Sequence, residues 1–248
     1  MGQERDMIFG KDLAKVYSDK WDFWGPKMWE FLSPLIREEL PQADTWLDLC
    51  CGTGSLARLT SGSGFDTTGV DISKHQIKRA RQNVPSARFI VGDVRQLALD
   101  RKFHVVTCMF DSLNYLMTKS DLLKAFRTAK RHLVQGGIFA FDMNTFNGLQ
   151  GHWCKTSATH DRDLTLVIES SFDPKRHLGR CLITGFLRGG KLYRRFQEEH
   201  FERGYHPPEI DDLLHRAGFT FKRYDGHRLD RPGKRAPRLL YLCRTRGR

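Results

Sequence analysis

The stretch that decides the fold is "TWLDLCCGTGSLARLT", residues 45–60. An apolar run is followed by a turn that contains Gly52 and Gly54, and then by a segment with helical periodicity. A strand, a glycine turn and a helix in this order are typical of the first unit of an open parallel sheet, where the turn receives the central part of a nucleotide-like cofactor. The glycines also fit the dinucleotide fingerprint. Alone, they do not distinguish NAD from other adenosine cofactors.

Outside this unit, short apolar runs alternate with amphipathic stretches. Strands are predicted at "TWLDLC", "DTTGVD", "ARFIVGD", "FHVVTCMF" and "GGIFAFDMN". Helices are predicted between them at "SLARLTS", "SKHQIKRARQNV" and "KSDLLKAFRTAKRHLV", the last ended by Gly136 and Gly137. Two further strands, "FTFKRYDG" and "RLLYLCRT", close the sheet. This alternation of predicted strands and helices indicates an α/β fold with a seven-stranded, mostly parallel sheet flanked by helices.

The chain is predicted to form one domain with four segments. Residues 1–43 read as an N-terminal helical cap and residues 44–145 as the cofactor-binding core. Residues 146–205 contain three strand-like runs broken by turn residues, which predicts a three-stranded antiparallel insertion after the fifth strand. Residues 206–248 supply a helix and the closing strands.

Composition excludes several classes of protein. The six cysteines include no C-x-x-C pair and no histidines at zinc-ligand spacing, so we predict reduced thiols and no metal. Cys50 and Cys51 are adjacent, and a disulfide between them would be strained. No run of eighteen apolar residues and no signal peptide is present, which predicts a cytoplasmic protein without a membrane partner.

Charge is unevenly distributed along the chain. The formal net charge is +12, and residues 221–248 carry ten Lys or Arg against two Asp. A basic end attracts polyanions, but charge alone indicates solubility and non-specific binding rather than activity. A nucleic-acid partner is therefore an alternative, and a solvated basic face is the simpler interpretation.

Three carboxylates fall at the ends of consecutive predicted strands. Asp48 lies four residues before Gly52, Asp71 ends "TTGVD", and Asp93 lies in "FIVGDVRQL". Asp48 would repel an anionic pyrophosphate, whereas a cationic cofactor would gain from it. Asp71 is placed to accept hydrogen bonds from ribose hydroxyls and Asp93 from an adenine amine. Each could instead be an ordinary turn or capping residue, but together they suit adenine, ribose and a positively charged amino-acid tail.

These residues carry a family resemblance. "WLDLCCGTGSLA", "TGVDIS", "FIVGDVRQL", "FHVVTCMFDSLNYL" and "HLVQGGIFAFDMNT" resemble the successive motifs of class I S-adenosylmethionine-dependent methyltransferases. "CMFDSLNYL", "FAFDMNT" and "EEHFERGYHPPEIDDLLHRAGF" resemble a bacterial group of small-molecule-type members, akin in layout to amino-sugar N-methyltransferases. The resemblance implies a Rossmann-like methyltransferase fold, with S-adenosylmethionine as cofactor and S-adenosylhomocysteine as its product.

The resemblance also implies a cofactor site. Gly52 and Gly54 would border the methionine part, Asp71 would hold the ribose, and Asp93 with the Val94 amide would read the adenine. Tyr17 would close over the cofactor. Gln76 stands where many relatives carry Met against the adenine ring. The predicted set is completed by Asp48 and by three residues adjoining these motifs: Cys50, Ile72 and Phe110.

Methyl transfer from a sulfonium is an in-line displacement, so alignment of donor and acceptor is the main requirement. A base is needed only if the acceptor arrives protonated. The candidates for catalysis are Asp111, Asn144 and His200, although Asp111 also suits loop capping and His200 a polar strand face.

The candidate substrate-binding residues lie on the same side of the predicted sheet. They are Trp21, Trp24, Asn114 and Tyr115, and the two tryptophans could equally anchor the N-terminal helix. The cap and the insertion are predicted to enclose a chamber for a small-molecule acceptor, methylated on nitrogen or oxygen by a monomer or homodimer. The alternatives are an RNA methyltransferase using the basic C-terminal region and, remotely, an NAD-dependent oxidoreductase.

Overall fold

A seven-stranded mixed sheet forms the centre of the computed structural model, which describes residues 9–245. The spatial order of the strands is β3, β2, β1, β4, β5, β11, β10. Strands β1 to β5 and β10 run in one direction, and β11, between β5 and β10, runs antiparallel to both neighbours. The strands span Thr45–Leu49 (β1), Asp66–Asp71 (β2), Arg88–Val91 (β3), Phe103–Cys108 (β4), Leu133–Asn144 (β5), Phe219–Asp225 (β10) and Arg238–Thr245 (β11). The predicted fold class is confirmed.

Helices cover both faces of this sheet. They span Lys11–Lys20 (α1), Trp24–Glu39 (α2), Ser55–Gly62 (α3), Lys74–Asn83 (α4), Lys119–His132 (α5), Phe146–His152 (α6) and Pro207–Ala217 (α7). The run "IFAFDM" of β5 explains the layering, because Ile138 and Ala140 pack towards α2 while Phe139 and Phe141 pack towards α5 and α7. A strand buried on both faces reads as a continuous apolar run.

Helix α5 ends earlier than the glycines predicted. Its C-cap is Leu133, whose backbone is already extended, and Leu133 pairs with Phe103 as the first residue of β5. Gly136 has a positive φ of 78° but lies inside β5, where the register against β4 shifts. The glycines therefore form an irregularity in the strand, because sheet pairing begins before the helix would need a left-handed stop.

The insertion forms a second sheet of four strands, so the prediction of three was wrong. Its strands pair in sequence order and span Thr156–His160 (β6), Leu164–Asp173 (β7), Leu178–Gly189 (β8) and Leu192–Arg203 (β9). The missed strand, β6, has the sequence TSATH and is exposed at every position. A polar edge strand shows no alternation of apolar residues, so periodicity could not predict it.

Helix α1 joins the inserted sheet to the core. Leu13 and Val16 pack with Leu166 and Ile183 of the inserted sheet in one apolar cluster. Glu198 of β9 accepts a hydrogen bond from the Gly10 amide at 3.0 Å. Parallel strands place their carboxyl ends at one edge of the sheet. Helix α1 and the inserted sheet lie over this edge, above the ends of β1 to β4. Within residues 9–245, no helix has the length and apolar character needed to cross a bilayer.

Candidate functional site

The turn after β1 depends on two glycines for different reasons. Gly52 has φ of 55° and Gly54 has φ of 86°, which is backbone that side chains with a β-carbon rarely adopt. A β-carbon on Gly54 would also lie 3.2 Å from Val84 and 3.3 Å from Phe89. Gly54 therefore caps α3 and lets it pack against α4 and β3, whereas Gly52 lies next to Tyr17.

Asp71 links this turn to the end of β2. Its Oδ2 accepts a hydrogen bond from the Gly52 amide at 3.0 Å and its Oδ1 accepts one from the Ser73 amide at 2.8 Å. Burial raises the pKa of Asp71 even though these amides favour the ionised form. Each carboxylate oxygen has a second lone pair, so Asp71 can still accept from two hydroxyl groups.

Asp48 is a buried carboxyl beneath the same turn. It is 3% exposed and accepts a hydrogen bond from the Thr107 hydroxyl at 2.8 Å. Burial raises its pKa to about 7, and no cation pairs with it within the described part of the chain. Asp48 lines a cavity of about 40 Å³ together with Trp24 and Gly52.

Asp93 lies two residues beyond the end of β3, where Arg95 holds its side chain. Arg95 Nε donates to the two carboxylate oxygens at 2.9 and 3.0 Å, and the Arg95 amide donates to Oδ1 at 2.9 Å. Asp93 is therefore oriented by Arg95, two residues further along the chain.

A cavity with a volume of about 480 Å³ extends over the strand ends. Eleven predicted residues line it: Tyr17, Trp21, Cys50, Asp71, Ile72, Asp93, Val94, Phe110, Asp111, Tyr115 and His200. The adjoining 40 Å³ cavity shares Tyr17, Trp21, Cys50 and Phe110 with it. Strand-end carboxylates and the candidate acceptor-side residues thus meet around one space.

Four predicted residues lie outside the lining of both cavities: Gly54, Gln76, Asn114 and Asn144. Gly54 packs between helices, as described above. Gln76 is 1% exposed on α4, and its Oε1 accepts no hydrogen bond within residues 9–245. Its position against an adenine ring stays a prediction.

Asn114 is a structural clamp rather than a wall residue. Its Nδ2 donates to the backbone oxygens of Asn144 and Arg203, both at 2.8 Å, and its Oδ1 accepts from the Asn144 amide at 3.0 Å. The amide group is fully used in joining β5 to β9. The sequence showed only that Asn114 follows β4, which is not enough to reveal partners 30 and 89 residues away.

A charged cluster stands behind the acceptor-side wall. Arg238 of β11 forms ion pairs with Asp142 of β5 and, at 3.0 Å, with Asp111. Asp142 accepts from the Phe110 amide at 2.6 Å. These bonds hold Phe110 and Asp111 at φ of 61° and 51°, a conformation that is strained for residues other than glycine.

Sequence reasoning missed several residues of this site. Phe9 covers the cavity, with its ring centroid 5.0 Å from that of His200 and 5.5 Å from that of Tyr17. Ile183 and Glu202 line the cavity from the inserted sheet. Arg238 belongs to the basic C-terminal segment, yet it is 4% exposed and stacks 4.1 Å above the ring of Trp24. Only its position opposite Asn144 in the β5–β11 ladder reveals this role.

A larger concavity of about 870 Å³ lies elsewhere, between α1 and the tips of β7 to β9. Its rim carries Lys15, Asp19 and Arg188, and it contains an exposed ion pair between Lys20 and Asp161. It contains none of the strand-end carboxylates. We therefore assign the functional site to the 480 Å³ cavity.

Comparisons with known proteins agree with this geometry. A family model described as a methyltransferase domain matches residues 47–137. The chain is 30% identical over 240 residues to the putative methyltransferase YqeM of Bacillus subtilis, covering 94% of this chain and 93% of that protein. The chain belongs to the S-adenosylmethionine-dependent methyltransferases.

Two further relatives support the assignment. A dTDP-3-amino-3,4,6-trideoxy-alpha-D-glucopyranose N,N-dimethyltransferase of Streptomyces venezuelae is 29% identical over 221 residues, or 88% of this chain and 87% of that one. The crystal structure of an S-adenosylmethionine-dependent methyltransferase from Clostridium acetobutylicum superposes with a TM-score of 0.85 at 28% identity, covering 95% and 98% of the two chains. The predictions of family, enzyme class and cofactor are thereby confirmed.

The residues of this methyltransferase fit its cofactor. S-adenosylmethionine carries a sulfonium and an ammonium, and Asp48 is a buried carboxyl without a cationic partner among residues 9–245. Asp71 retains acceptor capacity for hydroxyl groups. The backbone at Gly52 leaves the turn open on its cavity side. The donor and acceptor chemistry of the site therefore suits an adenosine cofactor with a cationic tail.

Proposed function

We propose that this methyltransferase acts on the nitrogen or oxygen of a small-molecule acceptor inside the 480 Å³ cavity. The observation that carries the proposal is the continuity of this space, from Asp71 and Asp93 at one end to Asp111, Tyr115 and His200 at the other. A cavity of that size is in the range of small-molecule sites. Phe9 and the inserted sheet roof it, which favours an acceptor that is taken inside over a polymer that lies across the surface.

The cofactor end would be held by the predicted residues that line the two cavities. Asp71 would accept from the ribose hydroxyls, and Asp93 and the Val94 amide would bind adenine. Asp48 would face the cationic portion, and Gly52 would border it. The walls would be formed by Tyr17, Cys50, Ile72 and Phe110. Bound there, S-adenosylmethionine supplies an electrophilic methyl group whose sulfur leaves as a neutral thioether in an in-line displacement.

At the acceptor end the chain's task is to orient the acceptor and exclude water. Trp21 and Tyr115 would form the walls, and Trp24, which lines the small cavity, also anchors α2 in the core. The Tyr115 hydroxyl lies 3.1 Å from His200 Nδ1. Asp111 is fixed by Arg238 and by Asn144 Nδ2 at 2.7 Å, so Asn144 would act by positioning Asp111 rather than by touching the acceptor.

Isothermal titration calorimetry with S-adenosylhomocysteine tests the cofactor half of the proposal. We expect binding of one molecule per chain with micromolar affinity. Transfer of label from methyl-labelled S-adenosylmethionine to low-molecular-mass extract fractions, compared with transfer to purified RNA, tests the acceptor half. An absence of S-adenosylhomocysteine binding at high micromolar ligand, or labelling confined to RNA, would contradict the proposal.

The RNA alternative loses part of its basis. It relied on the basic C-terminal face, but Arg238 is buried in the ion-pair cluster and is not available to phosphate groups. Lys234 and Arg235 remain exposed in the loop between β10 and β11. The oxidoreductase alternative is set aside by the family assignment.

A further inference from the structure

Glu202 is a buried carboxyl on the acceptor side that the proposed function leaves without a role. It lies on β9 two residues after His200, and alternating side chains place both residues on one face of the strand. Both line the 480 Å³ cavity, and Glu202 is 4% exposed. The inserted sheet thus presents a carboxyl to the space where the acceptor would sit.

Asn144 connects Glu202 to the cluster behind the wall. The Nδ2 group of Asn144 donates to Glu202 Oε2 at 3.0 Å and to Asp111 Oδ2 at 2.7 Å. One amide therefore bridges two carboxyl groups, one from the core and one from the inserted sheet. This arrangement holds the two carboxyl groups at the same end of the cavity.

The charges of this cluster do not balance if every carboxyl is ionised. Asp111, Asp142 and Glu202 are three acids, and Arg238 pairs with Asp142 and Asp111. Neighbouring carboxylates in a buried site cannot all ionise without a large free-energy cost. Burial, followed by the charge of Asp111, raises the pKa of Glu202 well above its ordinary value, although Asn144 and Arg238 oppose this.

The groups that face Glu202 come from every element around it. They are Asp111 after β4, Asp142 on β5, Arg238 on β11, Tyr115 in the short 3-10 helix Ser112–Tyr115, Cys181 on β8 and His200 on β9. Burial and the acids among them favour the protonated form of Glu202 while the cavity holds no further cation. A cation that enters beside Glu202 reverses this balance.

We propose that Glu202 is the proton-exchanging group of the acceptor end, and that this end recognises a protonated amine. The inference rests on the proposed function, since it assumes that the transferred methyl group faces Glu202. An ammonium entering the site displaces the Glu202 proton to solvent and donates a hydrogen bond to the carboxylate. The ammonium then passes one proton to a Glu202 oxygen, which leaves a neutral nitrogen with a free lone pair. An alcohol brings no charge and gains nothing from this exchange.

Sinefungin tests the inference without knowledge of the acceptor. In this cofactor analogue an amine-bearing carbon replaces the methyl sulfonium, so it places an ammonium where the methyl group would be. Calorimetry at pH 7 in buffers of different ionisation enthalpy counts the protons released on binding. For the wild type we expect sinefungin to release about one proton more than S-adenosylhomocysteine does. For Glu202→Gln we expect this difference to disappear while S-adenosylhomocysteine binds with unchanged affinity.

Glu199→Gln is the matched control, because Glu199 lies on the same strand but is exposed and paired with Arg180. It should keep the wild-type difference in proton release. The inference is overturned if the wild type binds S-adenosylhomocysteine but shows no such difference, or if Glu202→Gln retains it in full. A wild type that binds neither ligand would instead contradict the proposed function, and the two failures are therefore distinguishable.

Discussion

Asp48 shows how one buried carboxyl links folding to cofactor chemistry. Among residues 9–245 no cation compensates for its burial, and its side chain accepts a hydrogen bond from the Thr107 hydroxyl. A cationic cofactor would supply the missing charge. Without that cofactor, the ionised form of Asp48 is a cost to the folded state.

This cost predicts an unusual pH dependence of stability. The pKa of Asp48 rises from 3.8 in the unfolded chain to about 7 in the folded one, so the folded state binds the extra proton between these values. Its stabilising contribution is complete below pH 4 and is lost as the pH rises through about 7, by at most roughly 1.4 kcal/mol for each pH unit. The free energy of unfolding can be measured by urea denaturation without cofactor at pH 5 and at pH 7.5. Between these pH values Asp48→Asn should lose less stability than the wild type.

Asp100→Asn is the control for this prediction, because Asp100 is exposed. It should retain the wild-type dependence. If Asp48→Asn and the wild type lose the same stability between the two pH values, Asp48 is not the group that titrates.

Asp71 yields a prediction on affinity. We expect Asp71→Ala to weaken S-adenosylhomocysteine binding by about 1 to 3 kcal/mol, since the ribose hydroxyls would lose their acceptor. Asp71 also accepts hydrogen bonds from the Gly52 and Ser73 amides. Asp71→Asn therefore serves as a second variant, which keeps one acceptor oxygen and should lose less affinity for S-adenosylhomocysteine. Calorimetry measures both variants. Unchanged affinity in a folded Asp71→Ala protein would remove Asp71 from the site.

At the scale of single elements, the close approach of two backbones restricts the residue type at a helix position more strongly than helix propensity does. Helix α6 contains Gly148 and Gly151. A β-carbon on Gly148 would lie 1.9 Å from the Pro237 carbonyl oxygen, whereas a β-carbon on Gly151 would have no heavy atom within 4 Å. The first glycine allows α6 to pack against the chain that enters β11, and the second has no such role.

The pair provides an internally controlled experiment. Gly148→Ala should destabilise the protein by about 1 to 3 kcal/mol or more, because backbone must move to admit the methyl group. Gly151→Ala should stabilise it by about 0.4 to 1 kcal/mol, because alanine restricts the unfolded chain. Equilibrium denaturation measures both. Equal effects of the two substitutions would show that α6 does not pack on Pro237 as described.

The elements differ in how well the sequence predicted them. Strands β1 and β5 of the core contain apolar runs, and their existence follows from burial on both faces of the sheet. Strand β6 and the early end of α5 were missed, because an exposed edge strand and a strand that begins directly after a helix leave no hydrophobic signal. Pairing with a neighbouring strand determines both.

At the scale of the whole molecule, the roof of the cavity is assembled from distant parts of the chain. Phe9 and α1 precede the first strand of the central sheet, whereas His200 and Glu202 lie in the insertion after β5, and they meet over the strand ends. The contacts that fasten the roof include exposed ion pairs such as Arg194 with Asp12, which contribute little to stability on their own. Ligand binding should therefore order the roof more than the base.

Hydrogen–deuterium exchange tests this prediction. S-adenosylhomocysteine should slow exchange in α1 and at the turns after β1, β2 and β3, because these segments line the cavity. Helices α5 and α7 pack together away from it and should exchange at an unchanged rate. Protection distributed evenly over all helices would indicate global stabilisation and contradict a ligand-ordered roof.

The sequence by itself determined the parts of the site that are local in the chain. Gly52, Asp48 and Asp71 lie in or beside the ends of predicted strands, so their spacing alone was enough to propose a cationic adenosine cofactor there. The other end was decided by tertiary structure. Asn144 bonds to Asp111 and to Glu202, which are 33 and 58 residues away, and Arg238 reaches Asp111 across 127 residues. Strand pairing and burial determine such partners. They bring together carboxyl groups whose association cannot be recognised from the local sequence around each of them.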